Sequence, residues 1–347
     1  MRKSKEVKIG NIKIGGNNPV AVQSMLNIPA NDIKGNVEQA RELEQAGCQI
    51  IRAAVPAPEN VELITELKKA VTIPVVADIH FDYKIALACA DAGVDKIRIN
   101  PGNIGSDDKV KLVADKCKEL NIPIRIGVNS GSLEKSILQK YGSPCAEALV
   151  ESALYHASLL EKFNFNDIVI SLKSSSVKTM ISAYRLLASK CDYPLHLGVT
   201  EAGTREMGIV KSSIGIGSLL ADGIGDTIRV SLTDNPIEEI YAGINILKAL
   251  DLKNDEPYLV SCPTCGRTQI DLISIASEVE RRLKQIHKPI KVAVMGCVVN
   301  GPGEAREADI GIAGGKGEGL IFKKGKIIKK VSDNELIDEL FKMIEQI

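Results

Sequence analysis

Hydrophobic and polar positions along the first 250 residues or so follow one recurring block. An amphipathic helical stretch leads to a glycine, and a short β-branched run comes next, as in residues 45–52, 91–99 and 221–230. Glycine directly after a helix is a frequent C-terminal cap. Strands that alternate with amphipathic helices form parallel sheets, so the pattern predicts an α/β fold.

Eight such units can be placed in this part of the chain. The predicted strands are residues 20–24, 49–53, 74–79, 96–100, 123–128, 167–172, 194–199 and 226–232. The predicted helices are residues 37–46, 61–70, 83–92, 110–120, 146–163, 177–190, 214–221 and 237–250. Eight βα units in about 250 residues indicate a closed (β/α)₈ TIM barrel, with an open doubly wound sheet as the alternative. Two short runs, residues 7–9 and 12–14, flank Gly10-Asn11, and this pattern predicts a hairpin that plugs the barrel floor.

A second, smaller domain is predicted after a polar, proline-containing segment at residues 251–257. We place the domains at 1–253 and 254–347. The second domain has predicted strands at 258–261 and 291–295, a helix at 269–285, a glycine-rich hairpin region at 310–331 and a closing helix at about 334–344. This mixture predicts a small α+β domain.

Composition narrows the classes of function. Lys plus Arg and Asp plus Glu are 44 each, aromatic residues make up 3%, and Trp is absent. A chain without net charge or stacking side chains is not expected to bind nucleic acid or an anionic membrane surface. The charged N-terminus has no signal peptide pattern and no apolar run of about 18 residues occurs, so we expect a cytoplasmic protein without a disulfide framework.

Polar residues occupy strand positions that a buried barrel strand would fill with apolar ones. They lie near the C-terminal strand ends: Arg52, Asp78, His80, Arg98, Asn100, Arg125, Asn129, Ser171, Lys173, His196, Thr200, Arg229 and Ser231. Spacing of two puts each pair on one face, which in a barrel points into the lumen and its catalytic mouth. Four arginines and a lysine in one cavity require an anionic partner, and a doubly phosphorylated small molecule fits.

Two further signals concern this mouth. Residues 211–218 are rich in serine and glycine, so we expect a loop after the seventh strand, where Ser212 and Ser213 cap the next helix and cradle phosphate. Lys173 has a second interpretation, because a desolvated lysine at a strand end forms Schiff bases in aldolases.

Three cysteines in the second domain form a candidate metal centre. Cys262 and Cys265 share a Cys-Pro-Thr-Cys-Gly turn, and Cys297 begins a segment that ends at Glu304. Three thiolates and a carboxylate suit an iron–sulfur cluster with one weakly held iron. The alternative is a structural zinc ribbon, completed by His287.

Long motifs carry a resemblance to a known family. They are residues 19–25, 98–105, 125–133, 196–203, 261–267 and 295–304. In sequence and order these segments resemble the bacterial 4-hydroxy-3-methylbut-2-enyl diphosphate synthases in their short, two-domain form. The resemblance covers essentially the whole chain. It implies reductive ring opening of 2-C-methyl-D-erythritol 2,4-cyclodiphosphate, in the non-mevalonate isoprenoid pathway, with electrons from reduced flavodoxin or ferredoxin.

The resemblance also implies roles for single residues. Cys262, Cys265, Cys297 and Glu304 would hold a [4Fe–4S] cluster in a domain of the sulfite and nitrite reductase type. Glu201 would protonate the departing oxygen, and Asn300 would orient the substrate near the cluster. The diphosphate ligands would be Arg52, Arg98, Arg125, Lys173, Arg229, Ser212 and Ser213, in a pocket lined by Asp78, His80, Asn100, Asn129 and Ser231. The barrel would resemble pterin-binding synthases, and the enzyme would be a homodimer.

Overall fold

The computed structural model describes residues 2–283, 285–286, 288–297, 303, 305–315 and 317–347. The chain divides into two compact units, Met1–Leu252 and Lys253–Ile347. Each unit has its own sheet and its own hydrophobic core. Among the described helices, none is long and apolar enough to cross a membrane.

The first unit begins with a hairpin and continues with eight parallel strands. The hairpin strands are β1 (Val7–Ile9) and β2 (Ile12–Ile14). The parallel strands are β3 (Ala21–Met25), β4 (Ile50–Ala54), β5 (Val75–Asp78), β6 (Lys96–Ile99), β7 (Ile124–Asn129), β8 (Ile168–Lys173), β9 (His196–Leu197) and β10 (Thr227–Ile228). These strands confirm the predicted βα order, although β9 and β10 are shorter than expected.

The strands close into a barrel. Their hydrogen-bonded order is β8-β7-β6-β5-β4-β3-β10-β9. A parallel bridge between Ile170 and Leu195 joins the two ends of this order, since Leu195 directly precedes β9. The open doubly wound sheet is therefore excluded, and the (β/α)₈ barrel is confirmed.

Helices follow the strands and cover the outside of the barrel. They are α1 (Ile33–Gln45), α2 (Val61–Ala70), α3 (Tyr83–Asp91), α4 (Pro101–Ile104), α5 (Asp107–Glu119), α6 (Lys135–Tyr141), α7 (Ala146–Glu161), α8 (Val177–Ala188), α9 (Arg205–Ala221) and α10 (Pro236–Ala249). Several begin at polar caps: the Asp32 side chain accepts from Gly35 N, and that of Ser176 from Thr179 N. Such caps satisfy amides that have no partner within the helix.

Apolar side chains pack on both faces of the barrel strands, outside against the helices and inside against the hairpin. Outward-facing residues such as Ile51, Ile97 and Ile124 pack against the helices in one large cluster. The hairpin residues Val7, Ile9 and Ile14 form a separate cluster with apolar residues of the strands Ala21, Ile50, Val76 and Val169. The hairpin therefore covers the barrel floor, as predicted, and leaves the opposite end for polar side chains.

The second unit is a five-stranded mixed sheet with helices. Its strands are β11 (Tyr258–Ser261), β12 (Lys291–Met295), β13 (Ile310–Gly314), β14 (Glu318–Lys323) and β15 (Lys326–Ser332), in that spatial order. The first three are parallel and the last two form an antiparallel hairpin. Helices α11 (Leu272–Leu283) and α12 (Leu336–Glu345) pack in the same apolar cluster as Val292, Val294 and Ile312.

The glycine-serine run at residues 211–218 corrects one expectation. These residues lie inside α9, which begins at Arg205, so they do not form a loop. Gly215 permits this helix to pack closely, because a Cβ there would lie 2.8 Å from Val199 Cγ2. Gly215 thus serves close packing within a helix instead of exposing its amide to an anion.

Candidate functional site

Basic and acidic side chains from neighbouring strands meet inside the barrel. Asp78 pairs in register with Arg98, and Arg98 pairs with Arg125 on the next strand. Parallel strands in register bring these side chains to one level of the lumen. All three are buried, as is Arg52. The predicted convergence of polar residues at the strand ends is thus present.

Asp78 is the anionic centre of this group. Its Oδ1 lies 3.2 Å from Arg98 Nη1, and its Oδ2 lies 3.8 Å from both Arg52 Nε and His80 Nε2. Burial raises the pKa of Asp78, but Arg52, His80 and Arg98 more than offset that effect and hold the pKa well below its usual range. The carboxylate is therefore ionised and already shared by two arginines.

Arg125 and Lys96 have no such partner among the residues that the structure describes. Both are fully buried, and none of the three Arg125 guanidinium nitrogens, nor Lys96 Nζ, has a hydrogen-bond partner in the described part of the chain. Burial, together with the neighbouring cations, lowers the pKa of each well below its usual value. Unpaired buried cations are costly, so an anion that enters this space is strongly favoured.

Lys173 lies at the end of β8 and faces the same cations. Burial is the main reason that the pKa of Lys173 falls to about 6, and Arg52 and Arg125 add to the effect. This lysine is therefore largely neutral at neutral pH until an anion approaches it.

Two cavities open beside these charges. One is lined by Arg52, Ser171, Lys173, Tyr184, His196, Gly198, Val199, Thr200, Arg229 and Ser231. The other is lined by His80, Phe81, Arg98, Asn100, Asn103, Asn129 and Ser132. Asp78 lies within ion-pair distance of Arg52 in the first set and of Arg98 in the second. The cavities therefore flank one charged centre at the C-terminal ends of the strands, where barrel proteins carry their chemistry.

Buried hydrogen bonds fix the wall of the first cavity. Tyr184 donates to the His196 carbonyl and accepts from Leu172 N, at 2.8 Å in the latter case. His196 Nδ1 lies 2.8 Å from Thr227 Oγ1. Burial, with Arg125 and Lys96 nearby, lowers the pKa of His196 well below its usual value. A neutral imidazole here adds no further positive charge to the lumen.

Some members of the site were missed in the sequence. Lys96 lies two residues before Arg98, so its parity pointed to the lumen, but its position at the strand start resembled that of a solvated charge. Gln23 follows the same parity on β3 and is buried, and neither of its amide atoms has a partner among the described residues. Glu239, on α10, lies 3.5 Å from Arg229 Nε, and no local pattern indicated that pairing.

Glu201 lies in the turn after β9, next to the cavity-lining Thr200. It is exposed and has a left-handed backbone with φ +52°, which is uncommon for a residue other than glycine. Strained conformations of this kind persist where the surrounding structure imposes them, often at functional sites. The turn thus places Glu201 next in the chain to a residue that lines the first cavity.

The sequence-predicted pocket residues are largely brought together. Arg52, Asp78, His80, Arg98, Asn100, Arg125, Asn129, Lys173, Arg229 and Ser231 all belong to the charged centre or its cavities. Ser212 and Ser213 do not form the expected cradle, because both lie within α9. Ser212 is fully buried and Ser213 is exposed.

Two of the three cysteines of the second unit, Cys262 and Cys297, lie at one edge of its sheet. Cys262 follows β11 and Cys297 comes shortly after β12; these strands are parallel, and Ser261 pairs with Val294. The Cys262 Sγ accepts from Gly296 N at 3.1 Å, which brings it next to the residue before Cys297. Cys265 is exposed, and a backbone hydrogen bond from Arg267 lowers its pKa. A thiol that ionises easily is a good metal ligand.

The remaining metal and substrate candidates, Glu304, Asn300 and His287, lie outside the described residues. Across the residues that the structure does describe, no group of three or more His, Cys, Asp and Glu side chains is arranged to hold a metal ion. Cys262 and Cys297 share a sheet edge and the Cys265 thiol ionises readily, so the chemistry of these side chains, thiolate ligands, fits an iron–sulfur cluster.

A closed (β/α)₈ barrel with a cationic mouth, followed by a small domain with two cysteines at one sheet edge and a third nearby in sequence, defines a two-domain barrel protein with a candidate anion site and a candidate metal centre. Comparison with known proteins agrees with this class. The GcpE TIM-barrel domain matches residues 4–244, and the GcpE protein C-terminal domain matches residues 258–346. The chain belongs to the GcpE family.

Close relatives extend over the full length. A protein of Fusobacterium nucleatum is 60% identical over 345 residues, covering 99% of this chain and 98% of its own. One of Clostridium acetobutylicum is 62% identical over 342 residues, with the same coverage of 99% and 98%. Both are named 4-hydroxy-3-methylbut-2-en-1-yl diphosphate synthase (flavodoxin).

Solved structures support the barrel alone. Dihydropteroate synthase of Stenotrophomonas maltophilia has a TM-score of 0.53 at 13% identity, covering 72% of this chain and 97% of its own. The 3-dehydroquinate dehydratase of Geobacillus kaustophilus has a TM-score of 0.52 at 15% identity, covering 72% and 99%. The expected likeness to pterin-binding synthases therefore holds for the fold.

Proposed function

We propose that this protein converts 2-C-methyl-D-erythritol 2,4-cyclodiphosphate to 4-hydroxy-3-methylbut-2-enyl diphosphate in the non-mevalonate isoprenoid pathway. The names of its full-length relatives support this activity. The observation that carries it is the buried Arg125 beside Arg52 and Arg98, whose guanidinium has no hydrogen-bond partner among the described residues and therefore favours a multiply charged anion. A cyclic diphosphate carries that charge on a small molecule.

The barrel side chains bind and orient the substrate. In this proposal Arg52, Arg98, Arg125, Lys173 and Arg229 neutralise the diphosphate, and Asp78 keeps two of the arginines aligned. The hydroxyl groups on the carbon skeleton of the substrate form hydrogen bonds with Asn100, Asn129, His80 and Ser231. Ser212 and Ser213 are left out, because both lie inside α9, where backbone amides are bonded within the helix.

The reaction breaks the ring bond between C2 and a phosphate oxygen and releases the C3 hydroxyl as water. Two electrons and two protons balance these changes. We assign one proton to Glu201, which follows the cavity-lining Thr200 in the turn after β9. A [4Fe–4S] cluster, when bound, supplies the electrons singly.

The cluster ligands in this proposal are Cys262, Cys265, Cys297 and Glu304, and Asn300 orients the substrate beside them. The shared sheet edge of Cys262 and Cys297 and the lowered pKa of Cys265 support the three thiolates. Glu304 and Asn300 rest on the motif that they share with the family.

Partners follow from the same proposal. The named relatives use flavodoxin, so reduced flavodoxin is the proposed donor here, with ferredoxin as a second possibility. A homodimer is proposed on the family resemblance, and a cytoplasmic location accompanies this pathway. On α9, Met207, Val210 and Ile214 are exposed at helical spacing and offer an apolar surface that a second copy could cover.

The activity test uses protein purified without oxygen. Iron and sulfide content, an electron paramagnetic resonance spectrum of the reduced protein, and turnover with reduced flavodoxin are measured on the same sample. About four irons per chain with product formation supports the proposal. A colourless protein with one zinc and no turnover contradicts it.

One observation favours a second function, a Schiff-base aldolase. The low pKa of Lys173 makes its amine nucleophilic near neutral pH. Borohydride reduction with small carbonyl compounds, followed by mass spectrometry of the peptide that contains Lys173, distinguishes the two. A stable adduct at Lys173 favours the aldolase, and its absence favours the diphosphate site.

Substrate binding is expected to take up protons. Lys173 is mostly neutral above pH 6 in the empty protein, and a bound diphosphate restores its ordinary pKa near 10.4. Affinity should therefore fall by up to about tenfold per pH unit through Lys173 alone as pH rises between these values. Calorimetry at pH 8 in buffers of different ionisation enthalpy measures the proton uptake.

The control for this prediction is Lys173→Met, which should remove that part of the proton uptake. Equal uptake in the variant and the wild type would assign the proton to another group. In the empty protein the unfolded state binds more protons over the same interval, so the free energy of unfolding should increase with pH there.

Glu201→Gln is expected to keep the metal centre and lose turnover. An amide cannot give up a proton to the leaving oxygen, and general acids contribute about 10² to 10⁴ in rate. Iron content and substrate affinity should remain near wild type while kcat falls. Glu206→Gln, on the first turn of α9, is the control. Unchanged kcat in Glu201→Gln would place the acid elsewhere.

A further inference from the structure

A buried histidine that has no part in the proposed chemistry joins two loops of the barrel mouth. His156 lies in α7 and is 1% exposed. Its Nδ1 lies 3.1 Å from Gly102 N, and its Nε2 lies 2.6 Å from Glu134 Oε1. Gly102 lies in α4, the short helix within the βα loop that follows β6, and Glu134 lies in the βα loop that follows β7.

These contacts fix the tautomer of the ring. The Gly102 N–H can only donate, so Nδ1 must accept and cannot carry a proton. Nε2 therefore carries the proton and donates it to Glu134. Burial raises the pKa of Glu134, but the hydrogen bond from His156 helps to lower it below its usual value. The carboxylate is ionised and holds the ring in this orientation.

Both loops supply residues to the second cavity. Asn100 and Asn103 flank Gly102, and Asn129 and Ser132 precede Glu134 in the chain. Asn100 also accepts from Gly127 N at 2.9 Å, which ties the first loop to β7. His156 is thus a second tie of the first loop, made from α7 to the loop that follows β7.

Gly102 has no side chain, and the His156 ring occupies the space in which one would lie. A Cβ at this position would lie 2.7 Å from His156 Cε1 and 3.1 Å from Nδ1. Real contacts of this kind are not that short, so any larger residue would push the loop or the ring away. The His156 ring therefore packs directly against the Gly102 backbone, and the distance between the two loops depends on this contact.

We propose that His156 and Glu134 are positioning residues that set the spacing between the two loops so that Asn100, Asn103, Asn129 and Ser132 meet the substrate together. The inference rests on the proposed function for the identity of that substrate. Neither residue is among those that line the cavity, so they act through the loops.

Two substitutions separate the two contacts. His156→Asn places an amide oxygen near the Nδ1 position and keeps an acceptor for Gly102, but loses Glu134. His156→Gln places an amide nitrogen near the Nε2 position and keeps a donor for Glu134, but loses Gly102. We expect each to lower kcat/KM about tenfold and His156→Ala about a hundredfold, mainly through KM, with cluster content unchanged.

Amide hydrogen exchange gives a readout that does not need turnover. The Gly102 amide should exchange faster in His156→Gln and His156→Ala than in His156→Asn, because only the last keeps its acceptor. Calorimetric titration with inorganic diphosphate measures the affinity of the mouth directly. Leu160→Ala, fully buried on the same helix, is the control for general loss of packing; it should lower Tm without changing KM.

Two results would overturn the inference: a kcat/KM of His156→Ala within twofold of wild type, or losses that follow the folded fraction as in Leu160→Ala. A wild-type protein that does not convert the cyclodiphosphate would contradict the proposed function instead. In that case the Gly102 exchange pattern and the diphosphate affinities still decide whether His156 positions the loops.

Discussion

Cys297→Ser is expected to lose its iron and to retain below about 1% of wild-type turnover. The residue comes shortly after β12, next to Gly296, whose amide contacts the Cys262 sulfur. A serine hydroxyl is a harder and more weakly bound ligand for iron than a thiolate, so the cluster should be lost or become labile. Iron and sulfide analysis, visible absorption and turnover are measured on anaerobically prepared protein.

Cys191→Ser is the matched control. Cys191 is also partly buried, but it lies in the barrel unit, and burial raises its pKa, so it is not suited to hold a metal. This variant should keep iron and turnover near wild type. A Cys297→Ser protein with full activity and four irons would remove Cys297 from the ligand set, and the motif would then need another explanation.

The barrel mouth could be predicted because its signal is local. Arg98 and Asn100, or Arg229 and Ser231, are two residues apart on a strand, and that spacing alone puts both on one face. Once the strand count indicates a barrel, the face and its end follow. The same reasoning applied to Lys96, but a lysine at the start of a strand is usually solvated, and the pattern does not reveal the burial.

Other features depend on distant contacts and could not be predicted. Glu239 contacts Arg229 from a helix, and His156 contacts Gly102 across 54 positions of sequence. Residues 211–218 show the opposite error, since serine and glycine are typical of loops. Here close packing of Gly215 against Val199 favours a helix that local propensity alone disfavours.

Arg125→Met is expected to make the empty protein more stable while it weakens diphosphate binding at least about a hundredfold. The wild-type guanidinium is fully buried without a partner among the described residues, and burial lowers its pKa. Replacing such a charge by an apolar side chain of similar length should raise the free energy of unfolding by about 1 to 4 kcal/mol. Two lost charge-assisted hydrogen bonds should weaken binding by about 3 to 6 kcal/mol, or roughly 10² to 10⁴-fold.

Arg125→Met is expected to raise the free energy of unfolding and to lower the affinity for the diphosphate, so the two measurements test the prediction independently. Thermal unfolding of the empty protein and calorimetric titration with the cyclodiphosphate measure the two effects separately. Arg185→Met is the control, because Arg185 is exposed and pairs with Asp222 at 2.8 Å; it should change neither quantity by more than about 0.5 kcal/mol. If Arg125→Met destabilised the empty protein, a wild-type partner for the guanidinium would have to exist. If binding were unchanged, the diphosphate would have to lie elsewhere, because an unpaired buried cation is the physical reason for placing it here.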